Sequence, residues 1–287
     1  MSDQSQFRLL GQRRFAPFFV TQFLGALNDN VFRNGLVVLV TFQGVVVAGM
    51  NVSQLADKYE KSMLMRRIKL LEIALMTIAA VAFIKGSFVL LLFLLFLMGC
   101  QSTLFGPVKY AYLPQQLADD ELVGGNGLVE AGTYTAIMLG LILGNMIVAI
   151  DSVSRTLIGA CLIGVAIFGY LVSRAIPLSR AADPGLTIRW NMWTETWRIV
   201  AFARERRDVF QSIRGRSWFG LCGSAMTLQV PPYTLLVRGG DEAFTTVLLV
   251  AFTMGVGSGS LLGDRMSRPR LALGLVPFGA IGLTLFC

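Results

Sequence analysis

Histidine is absent from the 287 residues, and charge is scarce, with Asp, Glu, Lys and Arg together making up 15% of the chain. Without an imidazole there is no Ser-His or Cys-His catalytic pair and no HExxH zinc site. The four cysteines, Cys100, Cys161, Cys222 and Cys287, lie in apolar runs without CxxC spacing. They read as small buried hydrophobes, not as disulfides or metal ligands, and no cofactor is expected. With 54% hydrophobic residues, a soluble domain of this size would lack polar cover, which places the chain in a bilayer. The formal charge of +8 falls between apolar stretches and does not interleave with aromatics along one element. That pattern argues against nucleic acid as a partner.

A short charged loop, residues 53–69, S-Q-L-A-D-K-Y-E-K-S-M-L-M-R-R-I-K, lies between apolar runs. A second stretch, S-L-L-G-D-R-M-S-R at 260–268, repeats its pattern of a small residue and Asp followed by basic residues. Such duplication points to two homologous halves. Apolar segments at 15–40, 64–84, 88–105, 126–150, 156–176, 218–237, 243–262 and 271–287 predict an all-α polytopic bundle of about eight transmembrane helices. Residues 41–52 would cover only about 18 Å as a helix against a core of about 30 Å, so the second helix of the first half is expected to be mostly missing. Gly106-Pro107 is expected to end a helix, with a polar loop over 111–125 carrying Asp119, Asp120 and Glu121, and Pro231-Pro232 is expected to interrupt the span 218–237. Gly140 and Gly144 form a small-xxx-small face suited to close helix contact.

The basic residues set the orientation. The amino terminus, the stretch 58–69, the Arg-rich segment 177–216 and residues 265–270 are expected in the cytoplasm, with Lys85, Arg155 and Arg238 in outside loops. This divides the chain into a first half (1–177), a cytoplasmic linker (178–216) and an incomplete second half (217–287). Trp190, Trp193, Trp197 and Val200 share one helical face in the linker. That face suits either the membrane surface or packing against the bundle.

Asp29, Asn30 and Arg33 fall near the middle of the first span, and Asp29 and Arg33, four apart, share a face. Ionisable groups at such depth face polar cavities by default. They are candidates for holding a charged headgroup or a coupling proton, with a structural ion pair as the alternative. Glu130 is a further candidate substrate contact, with capping or pairing of its helix as its alternative. Asp57, Lys58, Asp264 and Arg265, in the two repeated loops, are the candidate conformational gate.

The paired loops, basic linker and two-half plan resemble the major facilitator superfamily. The stretches F-L-G-A-L-N-D-N at 23–30, Q-L-A-D-K at 54–58, G-P-V-K-Y at 106–110 and N-G-L-V-E-A at 126–131 resemble its lysophospholipid transporter branch, which includes transporter domains fused to acyltransferase and acyl-ACP synthetase domains. The resemblance implies a partial major facilitator fold in the bacterial inner membrane, moving lysophospholipid or a similar amphiphile by alternating access. Two other readings stay open at this point, the membrane portion of a fused acyltransferase or synthetase and an inactive fragment. The sequence departs from the family pattern at Ser53, where a glycine is usual, and the second half looks truncated, without the family's final helices. An H-x-x-x-x-D acyltransferase motif cannot occur without histidine, so no catalysis is expected from these residues.

Overall fold

The computed structural model describes residues 6–35, 57–148, 154–181, 183, 185, 192–236, 242–267 and 275–286. Among them are a leading 3-10 turn and nine α-helices, with no strand. The helices are α1 (Ala16–Gly35), α2 (Lys61–Lys85), α3 (Phe88–Gln116), α4 (Leu122–Val148), α5 (Ser154–Ser173), α6 (Met192–Glu205), α7 (Arg207–Leu236), α8 (Glu242–Ser267) and α9 (Leu275–Phe286). The segments 88–116, 122–144, 155–173 and 244–263 are each long and apolar enough to cross a membrane. Large apolar side chains such as Val81, Ile84, Val89, Phe93, Phe96 and Phe168 are exposed on the outer surface. In lipid that surface is satisfied, because helices keep their backbone hydrogen bonds within themselves.

The helices pack in a chain of neighbours: α3 on α2, α2 on α5, α5 on α1, α1 on α4, α4 on α8 and α8 on α7. One apolar cluster joins Leu27, Val31 and Phe32 of α1 to Met76 and Phe83 of α2, Leu94 of α3 and Leu162 of α5. A second, around Phe15, Phe18, Met65, Tyr112, Val129 and Ile176, closes one end of the bundle. The expected close approach at Gly140 is present. A Cβ there would lie 2.6 Å from the Asn30 Cβ and 3.0 Å from the Leu27 carbonyl oxygen of α1.

The same end carries the basic segments. Arg14 bonds Glu121 at 2.6 Å and the Gln116 carbonyl at 2.7 Å. Arg66 donates to the carbonyls of Ser173 and Arg174, each at 3.3 Å, and of Ile176 at 2.9 Å, covering the free carbonyls where α5 ends. The Asp183 N–H reaches the Asp57 carbonyl at 2.9 Å. At the opposite end, the turn after α2 closes on Gly86, whose φ of 64° lies in the left-handed region that favours glycine. A Cβ there would stand 3.3 Å from the Arg155 guanidinium. Lys85 and Arg155 thus share the end opposite the Arg14 and Arg66 cluster, as the basic-residue bias predicts.

Three expectations need correction. The helix does not break at Gly106-Pro107: α3 runs on to Gln116, and the polar loop shrinks to residues 117–121. Val108, Tyr112, Leu113 and Leu117 are buried in the second cluster, and that burial holds the helix together past the missing Pro107 N–H. Likewise α7 runs unbroken through 231–232. Lys69 is not a loop charge, for α2 begins at Lys61 and Lys69 is 1% exposed, two turns inside it. Trp197 is 66% exposed, so it does not pack on the bundle; Trp190 and the Trp193 side chain lie outside the described residues, as does the short segment 41–52.

Candidate functional site

The middle of the first half contains a cavity of about 300 Å³ whose walls carry Asp29, Asn30, Lys69, Glu72, Gln101, Lys109 and Tyr110. Helix α1 supplies Asp29 and Asn30, α2 supplies Lys69 and Glu72, and α3 supplies Gln101, Lys109 and Tyr110. Gly106 and Pro107 lie within that stretch of α3, and Pro107 has no N–H to bond the preceding turn. The remaining wall, including Phe105 and Ile137, is largely apolar.

At its centre is an ion pair. Lys69 Nζ lies 2.7 Å from Glu72 Oε2, and both side chains are almost fully buried. The two residues are one helical turn apart, so they share a face. Asn28 Nδ2 donates to the other carboxylate oxygen at 3.0 Å, and Gln101 Nε2 donates to Oε2 at 3.4 Å. The ammonium also stands 5.7 Å from the centre of the Phe105 ring. Gly25 makes room for it, since a Cβ at position 25 would come within 2.6 Å of Nζ. Removing one member of such a pair strands a charge in a dry site at a cost of about 3–5 kcal/mol.

The expected residues are distributed as follows. Asp29 and Asn30 line the cavity, and Asn30 Nδ2 also bonds the Ala26 carbonyl at 2.7 Å. Arg33 lies on α1, but its side chain, and so any pairing with Asp29, falls outside the described residues. Glu130 is one step away on α4: it accepts the hydroxyl of the wall residue Tyr110 and lies 3.5 Å from Arg216 of α7. Asp57 is exposed at the basic end, and Lys58 stands 5.9 Å from the Tyr59 ring centre. The side chains of Asp264 and Arg265 lie outside the described residues.

Sequence reasoning missed Lys69, Glu72 and Gln101. The signal for Glu72 was available, a carboxylate alone in the run L-L-E-I-A-L at 70–75, which at that depth calls for a polar partner. Lys69, three residues before it, is that partner.

The first half meets the second along α4 and α8. Gln6 Nε2 donates to the Leu261 carbonyl at 3.2 Å. Gly127 lies so close to α8 that a Cβ there would be 2.8 Å from the Ser260 carbonyl oxygen. The second copy of the repeated motif, which begins at Ser260, lies on α8 as far as Ser267 and is not the expected loop; it starts against α4.

No solved structure matches this chain. Among characterised proteins, it is 25% identical over 277 residues to the lysophospholipid transporter LplT of Cronobacter sakazakii, covering 90% of this chain and 67% of that relative. It is 25% identical over 229 residues to LplT of Escherichia coli O7:K1 and 27% identical over 224 residues to LplT of Escherichia fergusonii. Each of these two matches covers 72% of this chain and 52% of the relative, so the chain spans about half their length. The family model of the Major Facilitator Superfamily matches residues 8–287. With nearly its whole length covered by that model and its helices bundled for a bilayer, this chain belongs to the Major Facilitator Superfamily, as a multi-pass membrane protein.

Proposed function

We propose that this protein is a secondary carrier for lysophospholipid or a similar amphiphile in the bacterial inner membrane, working by alternating access. Residues 1–177 and 217–287 form its two membrane halves, joined by the linker 178–216. The observation that carries this reading is the cavity among membrane helices with Asp29 and Glu72 facing Lys69 and Lys109. Two charges of each sign beside apolar Phe105 and Ile137 suit a zwitterionic phosphodiester headgroup with an acyl chain attached. The names of the relatives agree with such a substrate. Asp29, Asn30, Arg33 and Glu130 contribute to substrate handling, and Asp57-Lys58 together with Asp264-Arg265, near the end of α8, act as the gate. The task is transport and not covalent chemistry; a fused or partner acyltransferase is the enzyme class that would consume the delivered lysophospholipid.

Uptake of radiolabelled lysophosphatidylethanolamine into spheroplasts lacking their own transporter tests this, normalised to the amount of protein in the membrane. Expression of the protein is expected to restore uptake. Asp29→Asn, which keeps size and removes charge, is expected to abolish uptake at normal abundance. No uptake by the parent protein would overturn the carrier reading. Undiminished uptake by the variant would reduce Asp29 to a structural residue.

A further inference from the structure

The Lys69–Glu72 pair is an unusual way to fill a cavity wall. Two opposite charges 2.7 Å apart neutralise each other, and a lysine already bonded to a carboxylate has less to offer an incoming anion. Yet the pair is built for exchange. The lysine is held by one carboxylate oxygen and an aromatic face, on a flexible stem next to open space. The carboxylate is held independently by Asn28 and Gln101, so it stays in place if the lysine swings away.

We infer that Lys69 is the anion-binding cation of the cavity and Glu72 its resting counter-ion, and that Glu72 takes up one proton when the ligand's phosphate draws Lys69 away. This rests on the carrier reading and deepens it, tying substrate binding to protonation. The physical ground is the cost of a lone buried charge: with its ammonium gone, the carboxylate neutralises by accepting a proton from water. The surroundings allow it. Helix α1 presents Asp29, α3 presents Lys109 and Tyr110, and α5 presents Gly169, where a Cβ would be 3.7 Å from Lys69 Nζ. Helix α4 gives the wall Thr133 and Ile137, with Glu130 behind Tyr110. Asp29 lies on the same wall, and Lys109 remains as a second cation for the phosphate. The amide groups of Asn28 and Gln101 can serve a carboxyl in either state, since each amide both donates and accepts.

The test is infrared difference spectroscopy on the purified protein in lipid nanodiscs, with binding measured alongside. Adding the ether analogue of lysophosphatidylethanolamine, whose alkyl chain carries no ester carbonyl, is expected to raise the carbonyl band of a protonated carboxyl, whereas the matching monoalkylglycerol, which also lacks the phosphate, raises none. Affinity is expected to strengthen as pH falls, up to about tenfold per unit for one linked proton. Glu72→Gln should bind at least as tightly, without the band and without pH dependence. Lys69→Met should show the band before any ligand is added and bind about 10- to 100-fold more weakly, as losing a charged hydrogen bond implies. If either single variant fails to accumulate, the uncharged double variant Lys69→Met/Glu72→Gln should fold and show neither band nor pH dependence. Binding by the parent protein with no band, or a band that survives Glu72→Gln or the double variant, overturns the inference. If lysophosphatidylethanolamine does not bind, the carrier reading falls, and dodecyl phosphate becomes the probe. A band with dodecyl phosphate then upholds the exchange alone, and its absence overturns that too.

Discussion

Gly25 and Gly140 look alike by distance, yet substituting them should have opposite outcomes. An added Cβ meets a heavy atom at 2.6 Å in each case. At Gly25 that atom is the Lys69 Nζ, the far end of a flexible side chain, and the next nearest atoms stand at 3.7 and 3.9 Å. The ammonium has to retreat by roughly 0.8 Å to reach ordinary contact. At an effective dielectric constant of about 20, lengthening the 2.7 Å ion pair by all of that would cost about 1.4 kcal/mol, an upper limit because the retreat runs nearly across the pair. Replacing glycine by alanine inside a helix returns about 1 kcal/mol, so Gly25→Ala should be close to neutral in stability. At Gly140 the Asn30 Cβ and the backbone atoms Leu27 O and Val31 N surround the new methyl at 2.6 to 3.1 Å. None of these can move without separating α1 from α4. Overpacking of that kind costs about 1–3 kcal/mol, and because membrane helices associate through close packing, the interface has little else to compensate. Thermal unfolding of detergent-purified variants, followed by fluorescence-detected size exclusion, reads both. Gly140→Ala should lower Tm clearly, while Gly25→Ala keeps its Tm and shows impaired uptake. Equal losses of Tm would refute the distinction between yielding and unyielding neighbours.

Arg66→Leu should lower Tm by an amount matching about 1–2 kcal/mol, because it uncovers three carbonyls where α5 ends. Arg66→Lys should recover only part, since an ammonium lacks the guanidinium fork. Burial alone would raise the Glu121 pKa, but the Ala118 N–H and the Arg14 guanidinium outweigh it and hold the carboxyl below its ordinary value. Its stabilisation is therefore full above the unfolded pKa of about 4.3 and lost as pH falls through the folded one. Acid titration of Tm should lose that component in Glu121→Gln; an unchanged acid profile would dismiss the contact as stabilising. With the four native cysteines removed, a single cysteine at Ser212, exposed near the start of α7, should resist an impermeant thiol reagent applied to intact cells. Labelling from outside would invert the proposed topology.

The spans were legible because hydropathy over 20 residues is a coarse property that tertiary packing seldom overrides. The turn at Lys85-Gly86-Ser87 was legible from its glycine. What sequence patterning obscured was the inner face of α2. Its buried positions include Lys61, Met65, Lys69, Glu72 and Met76, while Leu70 and Leu71 are exposed. A soluble helix points its charges outward; this one points them into the bundle and its leucines toward lipid, an inversion of the amphipathic pattern. Counting basic residues as a single block therefore assigned Lys69 to the loop along with Arg66 and Arg67. The continuation of α3 past Pro107 was hidden for a related reason. Proline preference is local, and the burial of Tyr112 and Leu113 that outweighs it comes from α1, most of a hundred residues earlier in the chain.

The described contacts also differ in kind within and between the halves. Inside the first half, α1, α2, α3 and α5 share a continuous apolar cluster, and α1 meets α4 with Gly140 against its backbone. Such packing is costly to open, so these helices move together. Among the described residues, Gln6 bonds the Leu261 carbonyl of α8, and Arg216 of α7 reaches Glu130 at 3.5 Å with its side chain 78% exposed. An exposed ion pair of this sort contributes about 0–1 kcal/mol. Gly127 lets α4 approach the Ser260 backbone of α8 closely, where a Cβ would stand 2.8 Å from its carbonyl oxygen. Polar bonds across the α4–α8 seam are thus few among the described residues, and Leu261 of α8 adds apolar packing against the cluster around Phe15 and Tyr112. Tyr110, which lines the cavity and bonds Glu130, touches both the binding site and the residue that faces α7. Movement of Tyr110 would therefore reach the Glu130–Arg216 contact directly.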